Sequence, residues 1–121
     1  MTKNKILVID DDLSLLEALE AFLYQENFEV RSSSQHQSIY EVIVDFNPDL
    51  IILDINLGDA DGRTICDELK NSDSTAYIPV LLLTGLSYDD ISQIGCLADG
   101  IIGKPFESSQ LLFHIKELLS A

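Results

Sequence analysis

The sequence predicts an α/β domain of the doubly wound type, built on a five-stranded parallel sheet in the order 2-1-3-4-5. Five short apolar runs alternate with segments of helical periodicity along the 121 residues. Three of these runs hold four consecutive apolar residues, which favours strands that helices cover on both faces. The alternation also supplies the crossover helices that parallel strands need. The length suits one domain, and we expect a single unit over residues 1–121.

The first part of the chain predicts a strand, a helix and a second strand. Lys5–Ile9 is typical of a buried strand because four apolar residues follow one another. A helix is predicted from about Leu13 to Glu26, since its leucines recur at helical spacing. Phe28–Val30 begins a second strand with a weaker apolar pattern.

The next segment predicts a loop, a helix and the third strand. The polar tract Ser32–Ser38 is predicted as a loop, and it leads into a helix over about Ile39–Phe46. Pro48 ends this helix because proline cannot donate the backbone hydrogen bond that a continuing helix requires. Leu50–Leu53 gives the strongest strand signal in the chain, and Asp54 follows it directly.

A turn-rich loop and a third helix separate this strand from the fourth. Residues 56–61 are rich in turn-forming side chains, and Asp61 can cap a helix that runs to about Asn71. Val80–Leu83 is predicted as the fourth strand, and Thr84 and Gly85 end it.

The last part of the chain predicts two helices around a short strand. Ser87 or Asp89 opens a short helix that reaches about residue 97. Gly100–Gly103 forms the fifth strand. Ser108 is predicted to cap a final helix that runs through residue 119.

The charge balance excludes two classes of partner. There are 21 acidic and seven basic residues, which gives a formal net charge of −14. Nucleic acid and anionic lipid both require clustered lysine or arginine, so we expect this domain to bind neither directly. The acidity therefore serves solubility, or part of it holds a cation.

The lack of a targeting signal in this sequence and the spacing of its cysteines predict a cytoplasmic protein. The apolar run Ile6–Ile9 ends in three aspartates, which a signal peptide does not tolerate, and no stretch is long enough to span a membrane. Cys66 and Cys96 stand far apart without metal-binding spacing, so we expect reduced thiols. His36 and His114 are also isolated, and we expect both to be surface or structural residues away from the acidic cluster.

Polar residues stand where the predicted strands end. Asp10 and Asp11 follow the first strand, Asp54 the third, Thr84 the fourth and Lys104 the fifth. In a doubly wound sheet the carboxyl ends of the strands meet at one edge, and ligands bind there. In the order 2-1-3-4-5 the first and third strands are neighbours, which brings Asp10, Asp11 and Asp54 face to face.

Crowded carboxylates repel one another unless a cation compensates them, and Mg²⁺ prefers such oxygen ligands while accepting a phosphate oxygen. Lys104 adds a positive charge and Thr84 a hydroxyl that can bind an anion. Together these groups could neutralise a phosphoryl group in transfer and make one carboxylate a nucleophile. Each residue alone has an ordinary structural explanation, and Asp12 is expected to cap the first helix. The combination at successive strand ends carries the prediction.

The chain resembles the receiver domain of bacterial two-component response regulators over essentially its whole length. The resemblance implies the flavodoxin-like receiver fold. The segments that carry it are Lys5–Asp12, Pro48–Asp54, Asp61–Gly62, Pro79–Gly85 and Ala98–Phe106.

The resemblance implies a role for each strand-end residue. Asp54 would accept a phosphoryl group from a phosphohistidine. Asp10, Asp11 and Asp54 would hold Mg²⁺, with the backbone carbonyl of Asn56 as a further ligand. Thr84 and Lys104 match the positions that engage the phosphoryl group.

The family's known behaviour implies a switch rather than an enzyme acting on other substrates. The only chemistry expected is self-catalysed phosphoryl acceptance and hydrolysis of the acyl phosphate. The donor would be a sensor histidine kinase or a histidine phosphotransfer protein. Phosphorylation would change the face formed by the fourth helix, fifth strand and fifth helix for a downstream effector. The resemblance also allows homodimerisation on phosphorylation.

The resemblance carries one further expectation, and two residues depart from the family pattern. The resemblance implies a cis peptide bond between Lys104 and Pro105. Ile101 stands where the family usually has an aromatic residue that takes part in activation. Gly58 replaces the usual proline of its loop, which predicts a more mobile loop.

Other functions fit the residues less well. Asp10 and Asp12 match the nucleophile motif of haloacid-dehalogenase-type phosphatases, but those enzymes need a further acidic pair, and only Glu107 and Glu117 follow Lys104. A flavodoxin-like cofactor binder would need Ser, Thr and Gly in its first loop, where three aspartates would repel phosphate. A degenerate receiver that acts only as an interaction module is supported by Ile101 alone.

Overall fold

The computed structural model describes residues 3–85 and 97–120, in which strands and helices alternate. The strands are β1 (Lys5–Ile9), β2 (Glu29–Ser33), β3 (Leu50–Asp54), β4 (Val80–Thr84) and β5 (Gly100–Gly103). The helices of these ranges are α1 (Leu13–Gln25), α2 (Ile39–Phe46), α3 (Gly62–Lys70) and α4 (Ser108–Leu119). The sheet is parallel throughout, in the order β2-β1-β3-β4-β5. The predicted fold class and strand order are therefore confirmed.

Strand β2 is longer than its side chains suggest. It continues through Ser32 and Ser33, which the sequence assigns to a loop, because its backbone pairs with β1 from Lys5 opposite Glu29 to Ile9 opposite Ser33. This is an edge strand whose side chains are only partly buried, so its apolar pattern is weak. Backbone pairing sets its length.

Two expectations near the C-terminus have different outcomes. Ser108 does not cap the final helix: it is the first helical residue, and Glu107 precedes it with extended backbone and no side-chain capping hydrogen bond. The helix expected from Ser87 or Asp89 falls within residues 86–96 and lies outside the described residues.

The apolar side chains form one core on each face of the sheet. Alternate residues of the central strands pack against α2 and α3 on one side, and the intervening residues pack against α1 and α4 on the other. This alternation follows from the two-residue repeat of a strand. The fully buried strands hold the loops at their carboxyl ends in fixed positions. Across the described ranges, no helix is long and apolar enough to cross a membrane.

Candidate functional site

The register of the strands brings the predicted site residues to one edge of the sheet. Ile9 is paired with Leu53, so Asp10 and Asp54 are the next residues of neighbouring strands. Further along the sheet, in the pair of β4 and β5, Thr84 is paired with Gly103, and Lys104 follows Gly103 directly. Four strands therefore deliver their terminal side chains to the same edge.

Three carboxylates form a cluster at this edge. One side-chain oxygen from each of Asp10, Asp11 and Asp54 lies within 4.8 Å of the others. Asp10 is fully buried, Asp54 is 4% exposed and Asp11 is exposed to solvent. The cluster thus has a buried floor and an open side, and its all-oxygen donor set fits a hard divalent cation.

Lys104 is the nearest cation to the cluster among the described residues. Its Nζ donates to Asp10 Oδ2 at 3.0 Å and lies 3.3 Å from Asp54 Oδ1. Burial acts to lower the pKa of Lys104, but the hydrogen bond to Asp10 and the charges of Asp10 and Asp54 outweigh it and raise the pKa. Lys104 is therefore held in its charged form between two carboxylates.

Asp54 has a raised pKa. Burial is the main cause, and the negative charge of Asp10 adds to it. The Lys104 ammonium and the backbone amide of Asn56, which donates a hydrogen bond to the carboxylate, act in the opposite direction without cancelling the shift. The charged form of Asp54 is thus under-compensated by the protein alone, which is the condition that a bound cation relieves.

We expect Asp54→Asn to raise the melting temperature of the metal-free protein at pH 7 by roughly 3–6 °C. Because folding raises the pKa of Asp54, its favourable contribution is full below the unfolded-state pKa and is lost as pH rises through the folded-state pKa. At pH 7 the charged carboxylate therefore costs stability, and a neutral amide removes that cost. Calorimetry in EDTA measures the gain, which should shrink on acidification.

The control for this experiment is Asp73→Asn. It removes one exposed acid from the turn after α3 and so reproduces the change in net charge alone. If Asp54→Asn melted at or below the temperature of this control, the raised pKa of Asp54 would be contradicted.

Thr84 is the last residue of β4, and Ile101 lies on β5 opposite Leu82. Thr84 is 1% exposed at the end of β4, where its backbone oxygen accepts from the Lys104 amide at 2.6 Å. Ile101 is partly buried and packs against the core on the α2–α3 face. The peptide bond between Lys104 and Pro105 is cis, as the resemblance implies.

The first residue of α3 packs closely against the backbone of Asp54. At the start of α3 the Gly62 amide donates to the Ile55 carbonyl at 2.7 Å. A Cβ atom on Gly62 would lie 2.1 Å from the backbone oxygen of Asp54. Only glycine fits this contact, and sequence reasoning missed it because the approach exists only in the folded chain.

Capping accounts for two nearby acids. Asp12 Oδ1 accepts from the Leu15 amide at 3.2 Å and caps α1, as predicted. Asp61 Oδ1 accepts from the Arg63 amide at 2.9 Å and caps α3, also as predicted. These two side chains serve the helices and are not members of the carboxylate cluster.

Comparison with known proteins identifies the family. The family model described as the response regulator receiver domain matches residues 6–116. The chain belongs to the response regulator receiver family. Solved receiver domains share its fold. That of a signal transduction histidine kinase from Syntrophus aciditrophicus has a TM-score of 0.88 at 32% identity and covers 97% of this chain and 90% of that one. The BeF3-activated N-terminal receiver domain of Klebsiella pneumoniae RstA has a TM-score of 0.86 at 30% identity, covering 98% and 100%.

Curated relatives of this receiver domain are transcriptional regulators. The transcriptional regulatory protein GltR of Pseudomonas aeruginosa is 36% identical over 118 residues, which are 96% of this chain and 49% of GltR. The phosphate regulon regulatory protein PhoB of the same organism is 32% identical, over 98% of this chain and 53% of PhoB. The receiver domain thus spans about half the length of these relatives.

Proposed function

We propose that this receiver domain accepts a phosphoryl group on Asp54 with the help of Mg²⁺. The observation that carries the proposal is the cluster of Asp10, Asp11 and Asp54, with an under-compensated nucleophile at its buried floor and Lys104 beside it. Asp10, Asp11, Asp54 and the backbone carbonyl of Asn56 would hold the ion. When bound, Mg²⁺ would lower the repulsion between the carboxylates and the incoming phosphoryl oxygens.

The reaction transfers phosphorus from nitrogen to oxygen. A carboxylate oxygen of Asp54 attacks the phosphorus of a phosphohistidine on a kinase or phosphotransfer protein. A P–O bond forms, the P–N bond breaks, and the leaving imidazole nitrogen keeps the electron pair. Lys104 offers its ammonium to the transferred oxygens, and the Thr84 hydroxyl donates a hydrogen bond to one of them. Hydrolysis of the acyl phosphate returns Asp54 to its starting state.

The output is a change in binding rather than turnover of another substrate. Phosphorylation adds about −1.5 to −2 charges at Asp54, and Thr84 and Lys104 move to meet them. The face formed by the predicted 87–97 helix, β5 and α4 then changes its affinity for an effector or a second copy. GltR and PhoB are named as regulators of transcription. The proposed effector is therefore a protein or domain in the cytoplasm that regulates transcription.

Phosphorylation by a small donor tests the proposal. Wild-type protein incubated with acetyl phosphate and Mg²⁺ should gain the mass of one phosphoryl group, and the same incubation with EDTA should give no adduct. Acetyl phosphate serves as the donor because it needs no partner protein. A degenerate receiver would give no adduct under either condition, and that result would overturn the proposal.

A further inference from the structure

His36 contacts the loop that follows β3, although 23 residues separate it from its partner. Its Nε2 lies 3.0 Å from Oδ1 of Asp59, and the imidazole is 20% exposed whereas the carboxylate is 75% exposed. An ionised carboxylate only accepts hydrogen bonds, so Nε2 carries the hydrogen atom and donates the hydrogen bond to Asp59. His36 begins the short 3₁₀ turn between β2 and α2. Its partner Asp59 is outside the cluster of Asp10, Asp11 and Asp54, so the expectation that His36 lies away from that cluster stays a prediction.

The segment that His36 holds is a small closed unit. Asn56 and Asp61 form an isolated antiparallel bridge, and the Leu57 amide donates to the Ala60 carbonyl at 3.2 Å. Inside the loop, Asn56 Oδ1 accepts from the Gly58 amide at 3.3 Å. Asp59 lies at the tip of this hairpin-like loop, so a contact of its side chain restrains the position of the whole loop.

The base of the same loop touches the carboxylate cluster. The Asn56 amide hydrogen-bonds to the Asp54 carboxylate. Gly58, with φ of 78°, lies beside Asp11: a Cβ atom on Gly58 would be in ordinary van der Waals contact with Asp11 Oδ2, at 3.8 Å. Glycine imposes little conformational restriction of its own, so contacts made by the other residues of the loop hold Gly58 in this position.

We infer that His36 is a positioning residue for the metal site. Through Asp59 it holds the 56–61 loop in the arrangement that keeps Asn56 at Asp54 and Gly58 at Asp11. Without this tether a smaller fraction of molecules has the loop in place, and the apparent affinity for Mg²⁺ falls in proportion. The inference rests on the proposed function for its consequence, but it concerns cation binding and is measured separately.

Titration calorimetry with MgCl₂ tests the inference on the full chain. His36→Ala should raise the Kd for Mg²⁺ about threefold to tenfold, somewhat less than the loss typical of residues that hold a ligand directly. His36→Gln retains an amide N–H donor and should recover most of the affinity. Phosphorylation from acetyl phosphate at saturating Mg²⁺ should proceed at the wild-type maximal rate in both variants.

Two controls separate the tether from general effects. In an Asp59→Ala background, His36→Ala should cause no further rise in Kd, because the two side chains act through one contact. Arg31→Ala breaks a different link between β2 and α2, the 2.6 Å ion pair with Asp45, and should leave the Kd unchanged.

An unchanged Kd for Mg²⁺ in His36→Ala would overturn the inference, and so would an equal rise of the Kd in Arg31→Ala. It would also be overturned if His36→Ala raised the Kd as much in the Asp59→Ala background as in the wild-type protein. A wild-type protein that binds Mg²⁺ but takes no phosphoryl group would refute the proposed function alone. In that case the calorimetric comparison still decides the role of His36.

Discussion

Replacing Asp54 with asparagine should abolish phosphoryl uptake from acetyl phosphate and Mg²⁺, a loss of about 1000-fold or more in rate. The amide is close to the carboxylate in shape, but its oxygen lacks the charge that makes a carboxylate a nucleophile. Asp54 is 4% exposed at the floor of the cluster, a position that the exposed carboxylate of Asp11 does not share. Intact-mass measurement over time gives the rate directly.

The control is Asp73→Asn, which changes the net charge equally on an exposed turn and should take up the phosphoryl group at the wild-type rate. Asp10→Asn separates the proposed receiver from a phosphatase that uses Asp10 as its nucleophile. An adduct that survives in Asp54→Asn and disappears in Asp10→Asn would favour the phosphatase and refute Asp54 as the acceptor.

Gly62→Ala should destabilise the domain by about 3 kcal/mol or more and should disturb the acceptor. The added Cβ would lie 2.1 Å from the backbone oxygen of Asp54 and 2.9 Å from its carbonyl carbon. These are backbone atoms of a buried strand, so no side-chain rotation relieves the clash. Either α3 or the end of β3 must move, and the second movement carries Asp54 out of line with Asp10.

Gly85→Ala is the matched control, because a Cβ atom at Gly85 would meet no atom of the described residues within 4 Å. Urea denaturation compares the free energies of unfolding, and intact mass compares phosphoryl uptake. Equal stabilities for the two alanine variants would show that α3 adjusts without strain, which would contradict the close contact.

Much of the fold and of the site could be predicted because single residues carry strong local signals. The buried strands are continuous apolar runs, and the polar side chain that follows each run lies at the sheet edge by topology alone. This is why Asp10, Asp54 and Lys104 could be expected to meet. Asp10 and Asp54 come from the neighbouring strands β1 and β3, Lys104 follows β5 two strands further along the sheet, and the three side chains are in contact at the shared edge.

The remainder depends on the folded backbone and has no local signature. Strand β2 extends into a serine tract because β1 pairs with it. The restriction to glycine at position 62 arises from the approach of α3 to Asp54, and the contact between His36 and Asp59 joins two loops. In each case the deciding neighbour is distant in the sequence.

The strand register also determines where the chain can be lengthened. Asp10 and Asp54 are adjacent because Ile9 and Leu53 are paired, and one extra residue in either strand would shift one carboxylate by about 3.3 Å and turn it toward the opposite face. The turn at residues 71–74 is mostly exposed and follows the end of α3. A reporter or affinity segment inserted there would leave the pairing of β1 with β3 unchanged, which makes this turn the preferred position for building a sensor from the domain.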